Sequence, residues 1–526
     1  MQKLAFLLDN LYSAAAKDQI VTREGEETIK VSVMTSAIAF MYEKLRTIVD
    51  YNEDHLLRKS AIFRILKRRF LGGGDYYKIA ENVIKELISA RYLENNKLPE
   101  SIVVETAQVI EKYDLLYTGV EKQKGIQAAL GLYDWILNLA ACEIEETIVP
   151  ANKTRTLVRF MFDEIKARVQ VVSSQTISED EINLQLFLAV NRTLVKSDKP
   201  MLEYLILKLW YADWKNDYQL FLPQFIGQIY EIKAAINQQI NHRLANKLLQ
   251  VCRRYAMMII ILRDVIYNDF NNARALVDNP KQLESRIREV CQEKYVETKR
   301  RLKTQIGRAI IYVFLTKMLL ALIVEIPFDM YLLHSFSWLA AAVNVTFPPF
   351  LMILIAATIR TPGEKNTKAM VKGIFEILES KGETQYVREP KRRNWFIWSL
   401  LNFLYLLSFL IPFGLIIYLL NYIRFSVLSI VLFIVFFSVV SFFGVRIRRS
   451  ARELNILKKK ENILGEIFDF FTLPFIRMGR FLSLNFSKIN IFVFILDFLF
   501  EAPLKFILQG IEEWLAFFKE KKEDLE

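Results

Sequence analysis

Four apolar runs in the second half of the chain constrain its fold more than any other feature. Residues 309–333, 339–359, 395–420 and 425–445 each approach or exceed the roughly 20 residues that a helix needs to cross the hydrocarbon core of a bilayer. No water is available there to satisfy peptide groups, so such runs must be helical. The last two are almost purely apolar. The first carries Lys317, Glu325 and Asp329, and the second is interrupted by Pro348 and Pro349.

The rest of the 526-residue chain has a different character. Hydrophobic residues make up 53% and charged residues 24%, with a mean hydropathy of +0.19, so apolar and charged regions are segregated along the sequence. Only 17 Gly and 13 Pro occur, and long stretches rich in Leu, Ile, Ala, Glu, Lys and Arg favour helix. Residues 1–120 read as a first cytosolic helical subdomain and 121–279 as a second. Asn279 before Pro280 makes an N-cap and first-turn pair that opens a stalk helix over 280–308. Uninterrupted toward Pro327, that helix would be on the order of 70 Å long. The expected class is therefore all-α. A large cytosolic helical domain precedes a polytopic membrane domain of four spans over 309–447, and amphipathic helices at the membrane interface follow over 448–526. At the N-terminus, Lys3 and the apolar Leu4 to Leu8 hint at a signal peptide. Asp9 and Asn10 cut that run short of the roughly 7 to 15 residues required.

The formal net charge of +12 would suit nucleic acid or anionic lipid, and its placement favours lipid. Lys299, Arg300, Arg301, Lys303 and Arg308 precede the first span. Arg360, Lys365, Lys368, Lys372, Lys391, Arg392 and Arg393 lie between the second and third, and Arg446, Arg448, Arg449, Arg452 and Lys458 to Lys460 follow the fourth. The two short loops on the other side hold only Arg424. The positive-inside rule then places both termini and the 360–394 loop in the cytoplasm of a multi-pass protein, at the inner membrane if the cell is bacterial. Cys142, Cys252 and Cys291 are odd in number and widely spaced, which suggests neither a disulfide framework nor a thiolate metal site.

After Lys460 the pattern turns amphipathic. Within residues 489–518, Asp497, Glu501, Lys505 and Gln509 recur every four residues as a polar stripe on an interfacial helix, with Arg477, Arg480 and Lys488 beside it as contacts to lipid headgroups.

Catalytic signatures are missing from the sequence. His55, His242 and His334 have no ligand spacing, Gly72-Gly73-Gly74-Asp75 lacks the lysine of a phosphate loop, and no nucleophile elbow occurs. No catalytic, cofactor-binding or metal residues are assigned. The basic helix from Arg58 to Arg69 and the aromatics Trp210, Tyr211 and Trp214 read as a solvated face and core packing. The intramembrane polar residues Lys317, Glu325, Asp329 and Asn344 stand out, because ionisable groups within a span by default mark an ion path or a buried partner. Two functions follow. One is a non-enzymatic scaffold or tether whose cytosolic domain binds a protein partner at the lipid membrane. The other is an ion or small-solute channel or transporter built on the intramembrane charges, which with four helices requires a homo-oligomer.

Overall fold

The computed structural model describes residues 1–18, 27–31, 40, 43, 53–70, 74–172, 177–215, 218–334, 337–357, 359, 362–382, 384–389, 395–457 and 463–486. The protein is all-α, with a helical unit followed by a membrane unit, and among the described residues one later segment returns to the first unit.

The N-terminal unit holds α1 (Gln2–Asp18), α2 (Asp54–Arg69), α3 (Tyr76–Ser89), α4 (Ser101–Lys124), α5 (Ile126–Ile148), α6 (Asn152–Lys166), α7 (Glu179–Val190), α8 (Lys199–Trp210), α9 (Leu222–Gly227), α10 (Ile229–Ile240), α11 (Ala245–Asn268) and α12 (Ala275–Asp278). Local chemistry sets several of their starts. Asp75 accepts from the backbone N–H groups of Tyr77 and Lys78, Ser178 from that of Glu181, and Asp198 from that of Met201, each satisfying donors a helix start leaves unpaired. Gly125, at φ +86°, makes the corner between α4 and α5 that a side chain would strain. These two helices then pack along their length, with Ile110, Tyr113, Leu116 and Val120 buried in the same core as Leu132, Ile136 and Leu139. One hydrophobic cluster runs from Ile29 to Ile240. The basic helix α2 buries Ile62, Ile65 and Leu66 and turns its charges to acidic neighbours: Arg58 to Glu145, Lys59 to Asp198, Lys67 to Asp134, and Arg68 and Arg69 to Glu86.

Residues 375–390 also belong to this unit, although they lie between the second and third spans. Strand β1 (Val169–Val172) pairs in parallel with β2 (Gln385–Arg388), Val169 opposite Gln385. Arg243 reaches Glu389 at 2.9 Å, and Arg168 donates to the Glu376 carbonyl at 3.2 Å. The sequence reading assigned this stretch to a plain loop of the membrane domain. Two four-residue strands are too short to stand out from helical surroundings.

The membrane unit begins with α13 (Pro280–Leu320), which continues through two π-helical turns, Ala321–Glu325 and Phe328–Leu332, on either side of Pro327. Then come α14 (Trp338–Ala357), α15 (Glu364–Leu378, shared between the units), α16 (Trp395–Tyr422), α17 (Val427–Arg452) and α18 (Ile463–Phe486). Among the described residues four segments, Pro280–Tyr331, Trp338–Ala357, Trp395–Tyr422 and Val427–Arg449, are long and apolar enough to cross a membrane. Their outer surfaces expose large apolar side chains such as Phe396, Leu410, Tyr418 and Val431, as lipid-facing helices do.

Packing within the unit sets levels along the bundle. Leu302 and Val313 of α13, Met352 of α14, and Val440, Ile447 and Ala451 of α17 form one apolar layer; Ala340, Leu420, Phe425 and Phe433 form another near the opposite end. Asn366 fastens the first end by donating to Tyr295 Oη at 2.8 Å and to the Leu454 carbonyl at 2.9 Å, while its Oδ1 accepts from the Ile456 N–H at 3.0 Å. The stretch 448–526, read as cytosolic interface helices, begins otherwise. Residues up to Arg452 continue α17, and α18 packs along α16 and α17. Asp497, Glu501, Lys505, Gln509 and Lys488 lie outside the described residues, as does the interfacial helix assigned to them.

Candidate functional site: a charged cluster inside the membrane bundle

Pro327 has no N–H to give, and the flanking π turns each absorb an extra residue, which re-phases the helix face that follows. Lys317, Glu325 and Asp329 all turn inward, toward Asn344 of α14 and the start of α17. Lys317 and Asn344 are fully buried, and Glu325 and Asp329 are 2% and 8% exposed. The structure thus brings together all four polar residues singled out in the first two spans. It also buries the acids between helices, at the end of the bundle where α17 begins.

Glu325 is the hub. Its Oε2 lies 3.3 Å from Lys317 Nζ, and its Oε1 accepts from Asn344 Nδ2 and from Ser429 Oγ. Lys317 completes its shell against the Phe436 ring, with Nζ 5.1 Å from the centroid, a cation–π contact. Asp329 is served much less well. Its Oδ2 is 3.5 Å from Ser429 Oγ, whose single proton already faces Glu325, and its Oδ1 has no partner at all. Asn344 Oδ1 is likewise buried without a donor.

Two carboxyl groups, Glu325 and Asp329, share the single ammonium of Lys317, and Asp329 Oδ1 and Asn344 Oδ1 are buried without a donor, so a second carboxylate charge here would need a proton or another cation to meet it. Ser429 was absent from the sequence reading. Ser426 caps α17 by accepting from the Ser429 N–H, and this cap aims Ser429 at the acids. The pattern Ser-x-x-Ser ahead of an apolar run was the available signal. Pro348 and Pro349, also buried, lack the N–H groups that would bond the carbonyls of Asn344 and Val345, adding acceptors beside the cluster.

The other sequence candidates lie elsewhere. Arg477 and Arg480 are exposed on α18, with the Arg477 guanidinium 4.6 Å above the Tyr405 ring and donating to its hydroxyl. In the N-terminal unit Trp214 is core, as its spacing suggested, but it also closes a buried polar network the sequence did not disclose. Lys112 pairs with Glu143, donates to the Trp214 carbonyl at 3.1 Å, and is ringed by Tyr113, Trp214 and Tyr218. Burial pushes the Lys112 pKa down while Glu143 pulls it back up. Its donors and acceptors are matched, so it holds the core together and leaves no vacancy for a ligand. Among the described residues no group of three or more His, Cys, Asp or Glu side chains could hold a metal ion. No family model matches the chain, and neither a curated protein nor a solved structure is similar to it.

Proposed function

We propose that this multi-pass membrane protein moves a monovalent cation, a proton or an alkali ion, through the cluster of Lys317, Glu325, Asp329, Asn344 and Ser429. The observation that carries the reading is the second carboxyl group. A bundle interior that holds two carboxyl groups, Glu325 and Asp329, beside the one ammonium of Lys317 has room for a proton or a further cation, and Asp329 Oδ1 and Asn344 Oδ1 are free to meet it. Lys317 acts as an internal counter-charge that lowers affinity enough for the cation to leave. A site for transport must release its ion as well as bind it. Asn344 orients Glu325, and the π turns around Pro327 supply a helix segment able to change its bonding.

In this reading the basic ends of the spans face the cytoplasm, and the cation enters from the side of Val427 and Trp338. Four helices enclose little space, so the conducting form is a homo-oligomer. The N-terminal unit is the partner-binding part. Leu209, Trp210 and Leu220 are exposed on and after α8, and they favour a protein contact in keeping with a scaffolding role.

The test is flux in proteoliposomes holding the full chain, with proton, sodium and potassium gradients imposed in separate arms. Wild type should dissipate one of these gradients, and Glu325→Gln, compared at equal density of folded protein, should abolish that flux. If no gradient moves in wild type, or if Glu325→Gln conducts equally, the scaffold reading takes its place.

A further inference from the structure

Helix α18 carries Glu466, Asp469, Arg477 and Arg480, and its composition sets it apart from the four spans. Its packing does not. Phe475 is 2% exposed and wedged between Phe413 and Phe437, with ring centroids 4.5 Å away on both sides. Those two phenylalanines lie roughly 14–15 Å along their helices from the ends at Tyr422 and Val427, near the middle of a bilayer core about 30 Å thick. Gly479 presses on α17 so closely that a Cβ would fall 2.0 Å from the Ser438 carbonyl oxygen.

The exposed side chains of α18 include Phe470, Phe471, Leu473 and Phe481, apolar like the outer sides of α16 and α17 on which it packs.

We propose that α18 is a fifth membrane-embedded helix, packed at mid-bilayer depth on α16 and α17, with Leu473 and Phe481 against lipid acyl chains and Arg477 held on Tyr405. The Arg477 guanidinium keeps a cation–π face and a hydroxyl acceptor there. A helix resting on the membrane surface would not be sandwiched between the midpoints of two spans.

Spin labels placed singly at Phe470, Leu473 and Phe481 of the full chain in phosphatidylcholine–phosphatidylglycerol vesicles test this, calibrated by labels at Tyr422 and Val431. Embedding requires the ratio of oxygen to nickel-chelate accessibility at Leu473, two residues from the buried Phe475, to equal or exceed that at Val431. Equal, shallow values at all three would overturn the proposal. Should replacing the native cysteines prevent folding, a photoreactive residue at Phe481 gives the second measurement. Crosslinks to acyl chains support embedding, and their absence refutes it.

Discussion

Removing Lys317 should damage the membrane bundle, and removing Glu325 with it should largely repair the damage. With Lys317 Nζ and Glu325 Oε2 3.3 Å apart, Coulomb attraction is about 5 kcal/mol at an effective dielectric constant of 20. Most of that offsets desolvation, and breaking a buried pair from one side typically costs about 3–5 kcal/mol. Lys317→Met leaves two carboxylates facing each other across Ser429, whereas Glu325→Gln keeps acceptors for Asn344 and Ser429 but strands the ammonium. Each single substitution should therefore lower unfolding free energy by about 3 kcal/mol or more. The Lys317→Met/Glu325→Gln double should lose at least ~2 kcal/mol less than the sum. The assay is reversible unfolding of the full chain in mixed micelles, read as a double-mutant cycle. Additivity within about 0.5 kcal/mol would show that the two side chains do not act as a pair and would refute the assignment of Lys317 as counter-charge.

Other outcomes follow from the same physics. Glu143→Ala should strand the buried Lys112 and cost about 3–5 kcal/mol, seen as loss of the N-terminal unit's cooperative melting in the full chain. Burial holds the His55 pKa below 6.5, and its Nε2 has no partner. The unfolded chain then takes up a proton that the folded chain refuses, so stability present above pH 6.5 is lost as pH falls through the folded pKa. His55→Gln should flatten that part of a stability–pH curve, and an unchanged slope would exclude His55 as its source. Gly479→Leu should force α18 off α17, read as a rise in protease cleavage between them, because no side chain fits against the Ser438 carbonyl.

The spans were legible in the sequence because length and apolar composition alone specify them; α14 and α16 begin and end within two residues of the apolar runs. Phe425 does not open α17, because the Ser426 cap makes Val427 its first residue. The inward charges could be suspected from Lys317, Glu325 and Asp329, but helical spacing could not foresee that two π turns would re-phase them or that Ser429 would join from another helix. Pairing of β1 with β2 joins residues more than 200 apart through four-residue strands, a contact with no local signature. Helix α18 shows the same limit: its packing partners Phe413, Phe437 and Ser438 lie on other helices, which no local pattern in 463–486 discloses.

The most direct test of a cation site in the bundle is charge movement on a solid-supported membrane carrying the purified full chain. A jump in pH, sodium or potassium should give a transient current in wild type for the cation that is carried. Asp329→Asn, which removes the second carboxyl group but keeps the side chain's shape, should give none at equal protein density. A wild-type chain silent to all three cations, or an Asp329→Asn current equal to that of wild type, would contradict the account.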